Sequence, residues 1–362
     1  MKAALFVLSF LLSPLCSALD LDKIQLPQGF SIEVYVDNID NARQMALGDK
    51  GTLFVGSRRA GKVYAVTDVN GENHARKVFE IAAGLFMPSG LTFHQGDLYV
   101  AEVDKIWRYA DIEAGLPDVP EPELVYDKLP DKSHHGWKFI AFGPDNQLYI
   151  PIGAPCNICK SDPPFASIIK VDLHTKLSTV VAKGVRNSVG FDFHPQTGEL
   201  WFTDNGRDMM GDDLPDDELN HVSKQAQHFG FPYVHNDNIL DPEFGMGRRP
   251  QDYRNPALKL GAHVAALGME FYSGSQFPAE YQDNIFIAEH GSWNRSSKVG
   301  YRIVRVILEN SKVVDSQVFA SGWLQGESSW GRPAAVLTMP DGSLLVSDDA
   351  ADVIYRISYR GK

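Results

Sequence analysis

One short unit recurs six times along the chain: an apolar strand, a turn carrying Gly, Pro, Asp or Asn, and a second strand rich in Leu, Tyr, Phe and Val. The second strands read Leu53-Phe54-Val55, Leu98-Tyr99-Val100, Leu148-Tyr149-Ile150, Leu200-Trp201-Phe202, Ile285-Phe286-Ile287 and Leu344-Leu345-Val346. Turns such as Gly143-Pro144-Asp145-Asn146 and Pro340-Asp341-Gly342 precede them, and Gly and Asn tolerate the positive φ that tight hairpins demand. A third strand follows most copies, as in Gly61-Lys62-Val63-Tyr64-Ala65-Val66 and Val353-Ile354-Tyr355-Arg356-Ile357. The copies start 45, 50, 52, 85 and 59 residues apart, close to the roughly 40–50 residues of a four-stranded propeller blade. Six copies therefore predict an all-β fold, a six-bladed β-propeller. The two longer steps predict loop insertions, between Asp208 and Leu258 and between Asn310 and Trp330. An open array cannot bury both faces of its end units, so the ring must close. The natural closing strand is Ser31-Ile32-Glu33-Val34-Tyr35-Val36, beside the last blade. A β-sandwich would account for many short strands but not for six copies of one unit. No Pro- or Gly-rich linker divides the chain, which predicts one domain over residues 19–362.

The first 18 residues read differently. Met1-Lys2 supplies a positive charge, an apolar run extends to Cys16, and Ser17 and Ala18 offer small residues for cleavage. That order is a secretory signal peptide, too short to span a bilayer, and it predicts a periplasmic or secreted protein. No later apolar run approaches the roughly 20 residues of a membrane span. The net charge is -12, which argues against nucleic acid and anionic lipid as partners. A polyanionic ligand would need locally clustered arginines and lysines. With Cys16 in the leader, Cys156 and Cys159 remain, spaced Cys156-Asn157-Ile158-Cys159-Lys160. Lysine stands where a covalent haem motif needs histidine, and no second ligand pair completes a zinc site. In an oxidising compartment the pair is expected to form a disulfide that pins a loop.

A propeller places its ligand site at one mouth of the central channel. Five loops at equivalent ends of the repeats carry unusual polar residues: Ser133-His134-His135-Gly136-Trp137-Lys138, Gly184-Val185-Arg186-Asn187, Asp204-Asn205-Gly206-Arg207 with the acidic stretch 212–218, Glu289-His290-Gly291-Ser292-Trp293-Asn294-Arg295, and Gly331-Arg332-Pro333. A histidine in a dry mouth can act as a general base. Arginines can clamp carboxylates and stabilise an oxyanion, and carbonyls and carboxylates of the 204–218 loop suit calcium. Each residue alone has a bland reading, as a strand-end hydrogen bonder or a solvated acid; five loops together point to a shared site.

In the order of these segments the chain resembles the soluble quinoprotein sugar dehydrogenases, dependent on pyrroloquinoline quinone (PQQ), and most closely their L-sorbosone dehydrogenase-like branch. The resemblance rests on His134-His135-Gly136-Trp137-Lys138 running into Phe142-Gly143-Pro144-Asp145, on Gly153-Ala154-Pro155-Cys156-Asn157-Ile158-Cys159, on Arg186-Asn187 before Gly190-Phe191, and on His290-Gly291-Ser292-Trp293-Asn294-Arg295. It implies PQQ and Ca2+ as cofactors and oxidation of an aldose or sugar aldehyde, with electrons passed to an external acceptor, a quinone or cytochrome. By position, His135 matches the catalytic base, His134 a substrate contact, and Arg186 the arginine that stabilises negative charge on the reduced cofactor. Asn187 and Asn205 match cofactor contacts. Gly206 and Arg207 match the turn whose backbone carbonyls hold calcium, and Arg332 a cation for the cofactor's carboxylates. Either Arg295 or Lys298 fits the family's lysine near the fifth blade. Asn205-Gly206-Arg207 departs from the Gln-Gly-Pro of the glucose enzymes, and Ala334 replaces an expected second arginine. Two rivals are a calcium-dependent lactonase or esterase, which would need several Asp, Glu and Asn converging on the axis, and a carbohydrate- or protein-binding propeller with no catalysis.

Overall fold

The computed structural model describes residues 19–68 and 76–361, so the expected signal peptide lies outside the described residues. The six repeats form six blades of four antiparallel strands each, and the third gains a short fifth strand, Gln227–His228, parallel to its outer strand. Blade one runs Ala42–Leu47, Leu53–Ser57, Val63–Asp68, Arg76–Ala82, and blade two Gly90–His94, Asp97–Ala101, Ile106–Tyr109, Glu123–Tyr126. Blade three runs Ala141–Phe142, Leu148–Ile152, Ser167–Asp172, Leu177–Lys183, and blade four Phe191–Phe193, Leu200–Asp204, Asp216–His221, Leu258–Ala262. Blade five runs Ala266–Phe271, Ile285–Glu289, Arg302–Glu309, Lys312–Ala320. Blade six takes Pro333–Thr338, Leu344–Asp348 and Val353–Tyr359 from the end of the chain, and Phe30–Asp37 from its beginning. Phe30 pairs with Tyr359 and Asp37 with Val353, antiparallel, so the expected closing strand is the outer strand of the last blade.

The second strands open on apolar runs because both of their faces are covered. In Leu53–Ser57, Leu148–Ile152 and Leu344–Asp348 every residue is buried. Six apolar clusters each lie between neighbouring blades, from Phe54 against Leu91 between blades one and two to Ile354 against Leu53 between blades six and one. Adjacent inner strands share no ladder, and buried polar side chains join them instead. Gln44 accepts from the amides of Leu91 at 3.1 Å and Ile140 at 3.0 Å. Thr203 donates to the Leu267 carbonyl at 2.7 Å, and Ser347 to that of Arg43 at 2.8 Å. Asp192 accepts from Phe271 and Glu270 from Thr338, carrying the stitching across blades four, five and six.

Both expected insertions differ from what the spacing suggests. In blade four the acidic stretch does not remain a loop: Asp216–His221 is its third strand, and the insertion falls between it and Leu258–Ala262. The acids are tolerated there because Asp217 and Glu218 accept hydrogen bonds inside the protein. In blade five no loop replaces the strand after Asn310. Lys312–Ala320 is the outer strand, paired with Arg302–Glu309 through two register shifts and entered through Asn310 and Ser311 with positive φ, and the short hairpin of Leu324–Gln325 and Ser328–Ser329 is added after it. No helix among the described residues is long and apolar enough to cross a membrane.

Candidate functional site

Antiparallel strand order brings the loops before each inner strand and after each second strand to the same mouth of the channel. There they surround a cavity of about 500 Å³. Blade one contributes Arg43, Arg58 and Arg59, and the loop before blade three contributes His134, His135 and Trp137. Arg186, Asn187, Asn205, Gly206, Asp208 and Asp217 come from around blade four, His263, His290 and Trp293 from around blade five, and Arg332 from the entry to blade six. Five guanidinium groups thus face one cavity in an acidic protein.

His135 is held in a left-handed conformation, with φ of 50°. Its Nδ1 lies 2.9 Å from the carbonyl oxygen of Ala154. A carbonyl can only accept, so Nδ1 carries the hydrogen and Nε2 keeps a free lone pair. Burial, the Arg186 charge and neighbouring His134 pull this imidazole down to about 2, so it is neutral. Gly153 permits the approach: a Cβ there would lie 2.5 Å from the His135 Cβ. His134 is also shifted down, by burial and by Arg186.

Arg186 is buried, and four of its five donors are engaged. Nε bonds the Asn157 carbonyl at 2.9 Å, Nη1 the Asn205 carbonyl at 3.1 Å, and Nη2 both Asn157 Oδ1 at 2.8 Å and Asp208 Oδ2 at 3.1 Å. One N–H of Nη1 remains for a ligand. The Arg186 and Asn187 amides donate to Asp204 at 2.8 and 2.6 Å. Asn205 bridges two blades by donating to the carbonyls of Asn187 at 3.0 Å and Ala266 at 2.9 Å. The Gly206 amide donates to Asp217 at 2.7 Å. Among the described residues no three His, Cys, Asp or Glu side chains converge to hold a metal ion, so a cation at this turn would rest chiefly on main-chain and amide oxygens.

Cys156 and Cys159 form a disulfide, with their Cα atoms 6.2 Å apart. It closes the loop that presents Asn157, the residue bracing Arg186. Asn157 Oδ1 also accepts from the Asp208 amide at 2.8 Å. The pattern Cys-Asn-Ile-Cys was the only sequence sign of this brace.

The mouth gathers His134, His135, Arg186, Asn187, Asn205, Gly206 and Arg332, but not Arg207, Arg295 or Lys298. Arg207 turns into the blade-four insertion, where Nη1 meets Asp241 at 2.5 Å, and it does not line the cavity. Arg295 is captured by the carbonyl of Asp212 and by the Asp213 carboxylate at 3.1 Å. Lys298 lies over the Tyr301 ring, 5.9 Å from its centre. Sequence proximity to His290 therefore places neither cation on the wall. In their stead stand Arg43, Arg58 and Arg59. Arg58 stacks on Trp137 at 3.5 Å, and among the described residues Nε of both Arg43 and Arg58 is buried without a partner.

Residues 158–356 match the glucose/sorbosone dehydrogenase family, and residues 24–239 match a TrAA12-like family. An uncharacterized protein of Borreliella burgdorferi is 35% identical over 360 residues, covering 93% of this chain and 91% of that protein. The holo form of the PQQ domain of pyranose dehydrogenase from Coprinopsis cinerea superposes with a TM-score of 0.79 at 18% identity, covering 92% of this chain and 97% of that one. The calcium structure of the family AA12 enzyme of Trichoderma reesei also gives 0.79, at 19% identity over 93% and 97% of the two chains.

Proposed function

This chain belongs to the glucose/sorbosone dehydrogenase family, and from its cavity we propose a PQQ- and calcium-dependent oxidoreductase that oxidises an aldose or related sugar aldehyde outside the cytoplasm. The observation that carries the reading is a neutral imidazole, His135, beside five guanidinium groups in one cavity. Such a cavity suits a ligand rich in carboxylates. The unpartnered buried Nε atoms of Arg43 and Arg58 await acceptors, because a buried donor left unbonded costs about 1–3 kcal/mol. About 500 Å³ also lies within the roughly 300–1,000 Å³ of small-molecule sites.

Arg43, Arg58, Arg59 and Arg332 would hold the carboxylates, Asn187 and Asn205 would fix the ring edge, and the turn at Asn205-Gly206 would offer carbonyl oxygens to calcium. When bound, PQQ supplies a two-electron acceptor, with calcium as its Lewis acid. The chain's own part is proton transfer and charge stabilisation. His135 Nε2 takes the proton of the substrate's anomeric or hydrate hydroxyl. Its Nδ1–H bond to Ala154 fixes the ring, and the Arg186 and Arg58 charges drive the proton onward to solvent. The remaining Nη1–H of Arg186 stabilises negative charge as it develops. His134 contacts the sugar, and electrons pass to a separate quinone or cytochrome. Purified protein supplied with PQQ and calcium should reduce an artificial dye with some member of a sugar panel, and a chelator should abolish the activity. Failure to bind PQQ at micromolar concentration would overturn the cofactor assignment.

A further inference from the structure

His290 belongs to none of the roles above, yet it lines the cavity. Its Nε2 lies 2.6 Å from Asp349 Oδ1, and a carboxylate only accepts, so Nε2 carries the hydrogen. Among the described residues Nδ1 has no hydrogen-bond partner. The other Asp349 oxygen meets Arg43 Nη2 at 2.5 Å. Arg332 closes the group from the blade-six side, donating Nε to the His290 carbonyl at 3.0 Å and Nη2 to that of Gly291 at 2.6 Å, while its own amide is held by Asp348 at 2.8 Å. Around the imidazole there are thus one paired carboxylate and two guanidinium groups that have donors to spare.

We propose that His290 takes up one proton when a polycarboxylate binds in this cavity, an inference that rests on the reading of the mouth as a site for a carboxylate-rich cofactor. In the ligand-free protein burial opposes protonation, Asp349 favours it, and Arg43 and Arg332 oppose it. The net result is a ring lowered to about 4, neutral at physiological pH. Ligand carboxylates seated on Arg43 and Arg332 neutralise the two cations that oppose protonation and leave Asp349 in place. A proton from solvent then adds to Nδ1. The new Nδ1–H donates to a ligand carboxylate as a charge-assisted bond, about twice as strong as a neutral one. No electrons move in this step; one solvent proton is consumed per ligand bound. The complex binds more protons than the free protein, so affinity must rise as pH falls, by up to about tenfold per pH unit between the free and bound pKa values.

Calorimetry at about pH 6, with saturating calcium and in two buffers of different ionisation enthalpy, counts the protons. The probes are PQQ and the redox-inert benzene-1,3,5-tricarboxylate. Between half a proton and about one proton should be taken up per PQQ. His290→Gln should bring the count near zero, flatten the pH dependence, and weaken binding at this pH by about tenfold. A count of zero in the unaltered protein, or an unchanged count in His290→Gln, overturns the inference even if PQQ binds. If the tricarboxylate binds with uptake but PQQ does not bind, the coupling stands and the cofactor assignment falls. If neither binds, both fall. The unaltered protein decides the main question, so a folding defect in the variant would not blunt the test.

Discussion

Replacing Arg186 with methionine should destabilise the whole protein, not merely a ligand site. The side chain makes four hydrogen bonds, to two acceptors on Asn157, to the Asn205 carbonyl and to Asp208, joining the disulfide loop, the 184–187 loop and the blade-four turn. Bonds to charged groups contribute about 1.5–3 kcal/mol each, and a simple total would overshoot. Asp208 keeps 17% of its side chain exposed and the cavity can admit water, so part of the loss is recovered. Removing one partner of a buried pair typically costs about 3–5 kcal/mol, and the lower half of that range, about 3–4 kcal/mol, fits this setting. Arg186→Lys keeps the charge but reaches only one or two acceptors, and should cost about half as much. Urea unfolding with excess chelator and no PQQ measures both, provided the m-values agree. Asn157→Ala should couple to Arg186→Met by about 1 kcal/mol or more, because the two changes remove shared bonds. A loss below about 1 kcal/mol in Arg186→Met would refute the reasoning, since it would mean that water replaces the side chain as a brace.

His135→Gln should lower dye-linked turnover by about 10²–10⁴-fold and leave PQQ affinity nearly unchanged; His134→Gln should chiefly raise the sugar KM, and an exchange of the two outcomes would reverse the roles. Replacing Cys156 and Cys159 together by serine should cost about 2 kcal/mol or less, since the closed loop is short, and should loosen Arg186 more than it alters the pH profile of turnover. Glu270, at the far end of the channel, is pushed up to about 8 by burial and by Asp192. Its folded pKa lies above its unfolded one, so its stabilising share is full at about pH 4 and lost as pH rises through about 8. Melting curves of Glu270→Gln between about pH 5 and 8.5 should therefore fall less steeply than those of the parent; equal slopes would show that Glu270 does not titrate in this window.

The ring was legible because second strands buried on both faces leave an uninterrupted apolar mark, as at Leu53, Leu98 and Leu344. The blade-four third strand left no such mark. Asp216, Asp217 and Glu218 read as solvated loop, and donors brought in largely by other segments, the amides of Gly206, Ala265 and Asn236 among them, make Asp217 and Glu218 acceptable in a strand. Half of the mouth was legible for a related reason. His135 and Arg186 sit in loops of odd composition, whereas Arg43, Arg58 and Arg59 lie where any surface arginine could. They reach the cavity because the start of the blade-one inner strand and the end of its second strand open on the same mouth. Arg295 and Lys298 show the converse: nearness in sequence lost to the pull of Asp212 and Asp213, acids some 80 residues away along the chain.

The outer strand of blade six, Phe30–Asp37, gives the protein an unusual timetable. Blades one to five are each built from consecutive stretches and can form as the chain emerges. The sixth joins Phe30 to Tyr359, so a strand made before blade one waits until all the other blades have followed it. The equilibrium cost of that wait is small. Each doubling of a closed loop adds only about 0.6 kcal/mol, so a closure spanning the whole ring costs roughly 3 kcal/mol more than a hairpin of the same strands. The kinetic cost is larger, because pairing between such distant segments slows folding. Until it happens, the inner three strands of blade six present a bare edge, a template for pairing with another chain. A delay in pairing Phe30–Asp37 with Val353–Tyr359 would therefore expose that edge for longer, and aggregation during production should track the rate of that pairing more closely than the stability of the finished ring.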